Sequence, residues 1–488
     1  VSRSLVHRVA LAVALVVASA AMAQDTIDID DAKRRAAQLL EEGKRDEARP
    51  LLEQIAHLDP KDFVSLYNLA CVRLSAGDRD AAEDALRRAI GVGFVDFHQM
   101  LRDPDLAALR DSATVRQVVG SWRRVLDLRA DADAKAAIEA LGPKYIHVVD
   151  PELRIHILSA FNEDATKAAH DELRTVARFV DEEIFEIEAP AERPDPWTLV
   201  ILPTKEHFRR FVPFDGVGGV YDHDQRRLVT RDLGPSLRHE FVHVLHHRRM
   251  SRTGVRHAFW LQEGIASLVE RVEPAPGRAV RSAPNWRINI ARRLAEPRRL
   301  TPWETFFSLD STKFVTIRPL AMYAQAYALS LWLYERGDLR AWMDAYERTA
   351  DESPGGEHAF ESVLSEDAAT LQRDWRDWLV SKDFVPERFE DGASSLGVDL
   401  DDASDEGPRV VGVFARRSAD SLRLRDVILA IDGAPVRTVA EAIQALDSRS
   451  PGGSVEVDVR RGRLDLTLTV PVVPFDERAS RGLADRLR

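Results

Sequence analysis

Cysteine occurs once in the 488 residues, at Cys71. A single thiol forms no internal disulfide and builds no metal site from several thiolates. Set among apolar neighbours in a helical pattern, Cys71 reads as a small core residue. A basic excess is also missing: 68 Lys and Arg stand against 80 Asp and Glu, a formal charge of −12. Nucleic-acid binding, which needs clustered positive charge, therefore finds no support, and the pairs Arg292-Arg293 and Arg298-Arg299 read as solvated helix faces. A long hydrophobic run is the third absence. The apolar stretch Val9 to Val17 is short against the roughly 20 residues of a bilayer span, so no stable membrane span is expected.

What surrounds that stretch is informative. Arg3 and Arg8 precede or open it, and Ala21-Met22-Ala23 follows before Gln24. A basic segment, an apolar segment and small residues at a cleavage point read as a signal peptide over 1–23, with an uncleaved anchor as the alternative. No cysteine follows the apolar run, so no lipid anchor is expected there. The expectation is an exported protein, periplasmic or secreted after cleavage, that relies on packing instead of disulfides. Hydrophobic content of 45% and charged content of 30% are those of a soluble globular chain, and its length calls for roughly two to four domains.

Between residues 30 and 97 the sequence repeats at a spacing of 34: Gly43 answers Gly77, Ala48 answers Ala82, and Leu52 answers Leu86. Each unit reads as helix, Gly-centred turn, helix, with small residues where paired helices approach. This resembles the tetratricopeptide repeat, and with the helices that follow it predicts a short helical repeat domain over 30–128. It serves either as a packing spacer or as a groove for a protein partner.

A mixed region follows. "YIHVV" and "WTLVILP" read as strands, residues 163–188 carry a helical pattern, and "GGVYD" and "RRLVTR" read as a hairpin turning at His223-Asp224. From Pro235 to Phe384 the pattern is almost wholly helical. The acidic stretch "RFEDGASS" marks a boundary, and short strands with one helix at 439–446 follow. "SLGV…DVILAIDGAPVRTVAEAIQAL…PGGSVEVDVRRG" resembles a PDZ domain over 394–475. That resemblance implies that the loop Ser395-Leu396-Gly397-Val398 offers backbone N–H groups to a peptide's C-terminal carboxylate, the peptide adding as a strand beside it. Ser421 and Arg425 stand where glycines are usual, so the loop departs from the family pattern.

The chemistry concentrates in "LRHEFVHVLHH", residues 237–247. On a helix His239 and His243 lie about 40° apart, so both imidazoles leave one face. Glu240 flanks that face and reaches a water there without taking a ligand position. Leu237, Phe241 and Val244 form a separate apolar stripe. Pro235 after Gly234 marks the helix start. The plainer reading is a helix with hydrogen-bonded histidines. Two histidines leave a catalytic zinc site one protein ligand short, and Glu263 in "FWLQEGIASLVE" lies twenty residues beyond His243, inside a second amphipathic helix. The intervening segment holds Gly254 and is long enough to reverse. Gly264 beside the ligand is expected to let the two helices approach closely.

Together these residues resemble the gluzincin metallopeptidases. The resemblance implies zinc ligands His239, His243 and Glu263, one Zn2+ per chain, and Glu240 as general base. "MYAQAYALSLWLYERGD" resembles the helix in which the related peptidases place a tyrosine. Tyr323 holds that position and would donate a hydrogen bond to the developing oxyanion, with Tyr327, one turn on, as the alternative. The resemblance spans 144–385, most specifically from Pro235 to Gly337, and implies that the strand near Leu228 aligns an extended peptide. The amine-binding Glu motif of related aminopeptidases is not visible around "GVGGVY", which favours an endopeptidase. His246 and His247 read as supporting or exposed residues. Ser267 and Glu270, on the Glu263 side of their helix, either support a ligand or lie on the surface.

The expected molecule is multidomain α+β. An α-helical repeat comes first, then a mixed α/β and helical metallopeptidase domain over 144–385, then a small β-rich PDZ domain. Its expected partners are a peptide or protein substrate and proteins bound by the repeat and PDZ domains. The alternative is a non-catalytic peptide-binding scaffold or assembly factor with a degenerate peptidase domain.

Overall fold

A computed structural model describes residues 28–213, 217–386, 388–402, 404, 406–416, 418, 421–476 and 479. The expected signal segment lies outside the described residues. Among them, no helix is long and apolar enough to cross a membrane. The chain divides into two compact units, residues 1–122 and 123–488, and the whole is multidomain α+β as expected.

In the first unit α1 (Ile29–Glu41), α2 (Arg45–Leu58), α3 (Phe63–Ser75) and α4 (Arg79–Val92) form two helical hairpins. Both turns are the equivalent glycines, Gly43 at φ 72° and Gly77 at φ 83°, a left-handed conformation that other residues adopt only with strain. Ala48 and Ala82, also equivalent, are wholly buried, as is Leu86. One period in the sequence thus sets both the turn and the close helix contact. α5 (Phe97–Arg102) follows. Cys71 is buried in α3 as expected, and burial pushes its thiol pKa up, with Asp103 and Asp105 nearby adding to the effect. α6 (Ala113–Leu141) is broken at Ser121, whose φ and ψ of −129° and 19° are not helical.

The second unit opens with a five-stranded sheet: β1 (Ile146–Asp150), β2 (Ile155–Ser159), β3 (Thr198–Leu202), β4 (Gly219–Asp222) and β5 (Arg227–Thr230). Its order is β1-β2-β3-β5-β4. α7 (Glu163–Glu183) makes the crossover between β2 and β3, which run parallel. β5 is parallel to β3 and antiparallel to β4. This corrects one expectation. The strand near Leu228 is β5, and both its edges are already paired, so it has no edge to offer a peptide. On that side of the sheet the edge strand is β4.

The helices continue with α8 (Lys205–Phe211), α9 (Pro235–Thr253), α10 (Phe259–Leu268), α11 (Arg287–Ala295), α12 (Trp303–Phe307), α13 (Ser311–Thr316), α14 (Pro319–Arg336), α15 (Leu339–Thr349), α16 (Glu357–Leu364) and α17 (Ala368–Ser381). The short strands β6 (Val272–Glu273) and β7 (Arg281–Ser282) pair between α10 and α11. Leu237, Phe241 and Val244 of α9 are wholly buried, each worth about 1.5–3 kcal/mol of transfer free energy. Trp260, Trp303, Trp342, Trp375 and Phe360 fill the core beneath α10.

Gly264 in α10 behaves differently from expectation. A Cβ there would meet Ser330 Oγ and would stand 2.6 Å from the Ala326 carbonyl oxygen. The glycine therefore admits α14, not α9, and brings the tyrosine helix against the glutamate helix. Because the obstacle is backbone, Gly264→Ala is expected to destabilise by about 1–2 kcal/mol net of helix propensity. A lowered thermal midpoint for the metal-free protein checks it.

The last segment is the β-rich module: β8 (Ser394–Ser395), β9 (Val398–Asp401), β10 (Arg409–Val413), β11 (Val427–Ile431), β12 (Ala434–Pro435), α18 (Val439–Asp447), β13 (Ser454–Arg461), β14 (Leu464–Pro471) and β15 (Val473–Pro474). Its main sheet runs β14-β13-β11-β10-β9, with β12 on β11, and β15 pairs β8. Thr438 and Glu441 close α18 with a capping box. The module has its own core, built on Leu396, Ile428, Val457 and Val470 among others.

Candidate metal centre

α9 is placed by polar contacts at both ends. Asp232 accepts from the N–H groups of Gly234 at 2.8 Å and Ser236 at 2.6 Å, satisfying donors that the first helical turn leaves free. Gly254 ends the helix in the left-handed conformation. Arg248, buried, donates to the carbonyls of Leu153 and Arg154 and to Thr198 Oγ1, tying α9 to the sheet. Arg238 donates to the carbonyls of Val269 at 2.6 Å and Glu270 at 2.7 Å, holding the C-terminal end of α10 against α9.

These anchors bring His239, His243 and Glu263 together. His239 Nε2 lies 3.1 Å from His243 Nε2 and 3.4 Å from Glu263 Oε2, and His243 Nε2 lies 3.7 Å from Glu263 Oε1. One ligand atom from each residue falls within 4.8 Å of the others. Ligands about 2.0–2.1 Å from a tetrahedral centre stand about 3.3 Å from one another, so this trio fits zinc in donor type and spacing. Glu240 stands outside the trio on the adjoining face, where a Cβ on Gly219 would lie 3.0 Å from its Cγ. The general-base candidate is thus set against the edge strand.

Around the trio lies a supporting chain that the local motif does not encode. Glu270 Oε1 is 3.0 Å from His239 Nδ1. That bond directs the Nδ1 proton to the carboxylate and leaves Nε2 for a metal. Glu270 is itself held by Arg287 and by Asn285 Nδ2 at 3.3 Å. Asn285 N–H donates to the Tyr327 hydroxyl at 3.0 Å. The sequence left Glu270 open between support and surface; it is buried. Arg287 and Asn285 sit in "SAPNWRINI", which carries no signal of the role. Glu270→Gln is expected to weaken zinc binding about 10- to 100-fold, measured by competition with a chromophoric chelator.

Burial opposes a charge on His239, yet its hydrogen bonds to Glu263 and Glu270 prevail and hold its pKa at about 10. Burial likewise opposes ionisation of Glu263 and Glu270. His243 and His239 hold Glu263 below the carboxylate range, and Arg287 with His239 does so for Glu270. Burial keeps His243 neutral, Glu263 countering and the His239 charge adding to it. The metal-free site is therefore an imidazolium between two carboxylates, with one neutral imidazole beside it.

The two tyrosines separate. Tyr327 is wholly buried, its hydroxyl donating to the Ala283 carbonyl at 3.2 Å and accepting from Asn285. It is consumed in structure. Tyr323 is half-buried, its ring edge-on to Phe314. Burial raises its phenol, and the Glu263 and Glu240 carboxylates act in the same direction. His246 is not exposed. It is fully buried, with Nε2 2.6 Å from His257 Nδ1. His247 faces the β4–β5 hairpin, its ring 5.2 Å from that of His223. Ser267 is wholly buried in α10.

Comparison with known proteins supports the flanking modules directly. Residues 394–472 match the PDZ domain model, and residues 39–93 match the tetratricopeptide repeat model. Both are protein-interaction modules. No curated protein matches the chain. Among solved structures the chain is similar to that of an aminopeptidase N family protein from Idiomarina loihiensis. Identity is 16% and TM-score 0.27, over 69% of this chain and 68% of that one.

Proposed function

We propose that this protein is a zinc-dependent peptidase whose metallopeptidase portion spans residues 144–385. The observation that carries the reading is the convergence of His239, His243 and Glu263 at 3.1–3.7 Å, with a carboxylate, Glu240, beside them and outside the ligand set. His239, His243 and Glu263 would hold one zinc ion per chain. Zinc bound there supplies a Lewis acid that lowers the pKa of water and polarises a carbonyl.

The chain's own groups do the rest. Glu240 takes a proton from the attacking water and returns it to the leaving amine. The Tyr323 hydroxyl donates a hydrogen bond to the oxygen on which charge develops. Glu270 keeps His239 in the tautomer that presents Nε2. β4 offers an edge for an extended peptide by strand addition, and Gly219 brings that edge to Glu240. The repeat and PDZ modules recruit protein substrates or partners. The N-terminal segment directs the chain out of the cytoplasm, so the activity belongs to the cell envelope or beyond it.

The test is a cleavage-site profile on a diverse peptide library, comparing wild type with Glu240→Gln and measuring zinc on both. Stoichiometric zinc with cleavage in the wild type alone is the expected result. A zinc-loaded wild type that cuts nothing would return the protein to the scaffold class.

A further inference from the structure

Large apolar side chains are scarce on the surface of residues 144–385. Among the described residues there, six are exposed: Val149, Val217, Val315, Ile317, Leu320 and Phe384. Phe384 carries the Arg292 guanidinium over its ring, 4.1 Å from the centroid. Val315, Ile317 and Leu320 are 43%, 50% and 47% exposed and fall within six positions of one another. Scattered apolar residues at a surface are ordinary, whereas a cluster of them marks a place where something else binds.

The cluster is the turn between α13 and α14. Phe314 of α13 points inward and is wholly buried, while Val315, the next residue, points out. Ile317 ends α13 in an extended conformation, φ −94° and ψ 98°. Arg318 follows at φ 52° and ψ 55°, in the left-handed region, and Pro319 opens α14. A residue with a Cβ takes that conformation against steric resistance, and such outliers gather where a fold presents a functional surface. Lys313 of α13 is paired with Asp310 at 3.1 Å.

The turn is continuous with the metal centre through packed rings. The Phe314 ring centroid lies 5.1 Å from that of Tyr323 and 5.2 Å from that of Phe259. Phe259 opens α10 four residues before Glu263, so the two share a helix face. Leu320 stands three residues before Tyr323 on α14 and shares a face with it in the same way. The helices lie against each other one turn further on, where a Cβ on Gly264 would stand 2.6 Å from the Ala326 carbonyl oxygen. Phe259 and Tyr323 are both half-buried. An apolar surface therefore runs from the Glu263 face of α10, across Phe259 and Tyr323, to the turn.

We propose that the α13–α14 turn is an apolar subsite for the peptide substrate, and that Ile317 and Leu320 are specificity-determining residues that select a large aliphatic or aromatic side chain. The inference rests on the peptidase reading. One helical turn and two ring contacts separate Glu263 from the turn, a span of roughly 10–15 Å, and extended peptide covers about 3.3 Å per residue. The selected side chain therefore stands within about four residues of the scissile bond. Continuity with the metal centre favours a substrate here over a lipid surface or a second copy of the chain.

The test uses zinc-loaded full-length protein and a double variant, Ile317→Ser with Leu320→Ser. Both side chains are exposed, so the fold should survive, and an unchanged thermal midpoint checks this. On a diverse peptide library the wild type should favour Leu, Ile, Phe or Met over Ser about 10- to 100-fold at one position within four of the cut. The double variant should lose that preference and still cut, with zinc retained. A second measurement removes turnover. In Glu240→Gln, a labelled decapeptide of alternating Gly and Leu should bind about tenfold tighter than its Gly-Ser counterpart, and adding the double change should bring that ratio close to one. A cleavage preference or a binding ratio that survives the double change overturns the proposal, as does a wild type indifferent to apolar residues near the cut. Sedimentation with phosphatidylglycerol vesicles, or dimerisation, in such a wild type but not in the double variant would give the patch to a membrane or to a second copy. Failure of the peptidase reading is a different result: a zinc-loaded wild type that cuts nothing while the binding ratio still falls with the double change.

Discussion

Glu240→Gln is expected to lower kcat/KM about 10²- to 10⁴-fold on any peptide the wild type cuts, while zinc content stays at one per chain. The substitution keeps the shape of the side chain and removes its basicity, and general-base catalysis contributes about that factor. In free energy this is roughly 3–5 kcal/mol of transition-state stabilisation. Retention of zinc follows from the geometry: the three ligand atoms converge without Glu240. Steady-state kinetics paired with metal analysis checks both halves. Loss of zinc together with activity would mean that Glu240 is a ligand, and the assignment of roles would fall.

The second large effect is on stability. Zinc at about 1,000 times its dissociation constant is expected to stabilise the fold by about 4 kcal/mol. That is roughly 8–16 °C in thermal midpoint for a cooperative unit of 150–250 residues. The rise should vanish in Glu263→Ala, where a third of the ligand set is gone. Comparing each variant with and without zinc cancels the cavity that Ala leaves.

The rise should also depend on pH, with a sign set by His239. Its pKa of about 10 in the metal-free site means that zinc displaces a proton from it at any pH below that. Apparent affinity then falls about tenfold, or about 1.4 kcal/mol, for each unit of acidification. In the metal-free protein the same raised pKa contributes stability that is full below the unfolded value of about 6.5 and is lost as pH rises through about 10. Both effects count the same proton, so with rising pH the zinc-induced gain grows by as much as the metal-free protein loses. Differential scanning fluorimetry from pH 6 to 8, with zinc and with chelator, reads the slope. A zinc-induced shift that is flat across that range would show that His239 is neutral before the metal arrives.

Much of this site is legible in the order of the amino acids. The four-residue spacing of His239 and His243 needs only helical geometry, and α9 begins at Pro235 and ends at Gly254, as the punctuation of the sequence implies. The period of 34 likewise specifies two glycine turns and two buried alanines. β2 is not legible in this way. All five of its residues are buried, so the alternation that betrays a strand is absent.

Local sequence determined which residues share a helix face, because side-chain direction follows from a few neighbouring dihedrals. It separated His239 and His243 from His246 and His247, and set Glu240 beside the first pair. Tertiary structure alone decided the rest. Tyr327 is spent on Asn285 and Ala283, while Tyr323 is only partly buried. Gly264 admits the tyrosine helix, β4 holds the sheet edge in place of β5, and Glu270 fixes the tautomer of His239. A turn of the PDZ module, some two hundred residues away in the chain, packs beside Gly218 at one end of the strand. Each of these joins segments far apart in sequence, where what a side chain does depends on what packs against it, and no spacing records that.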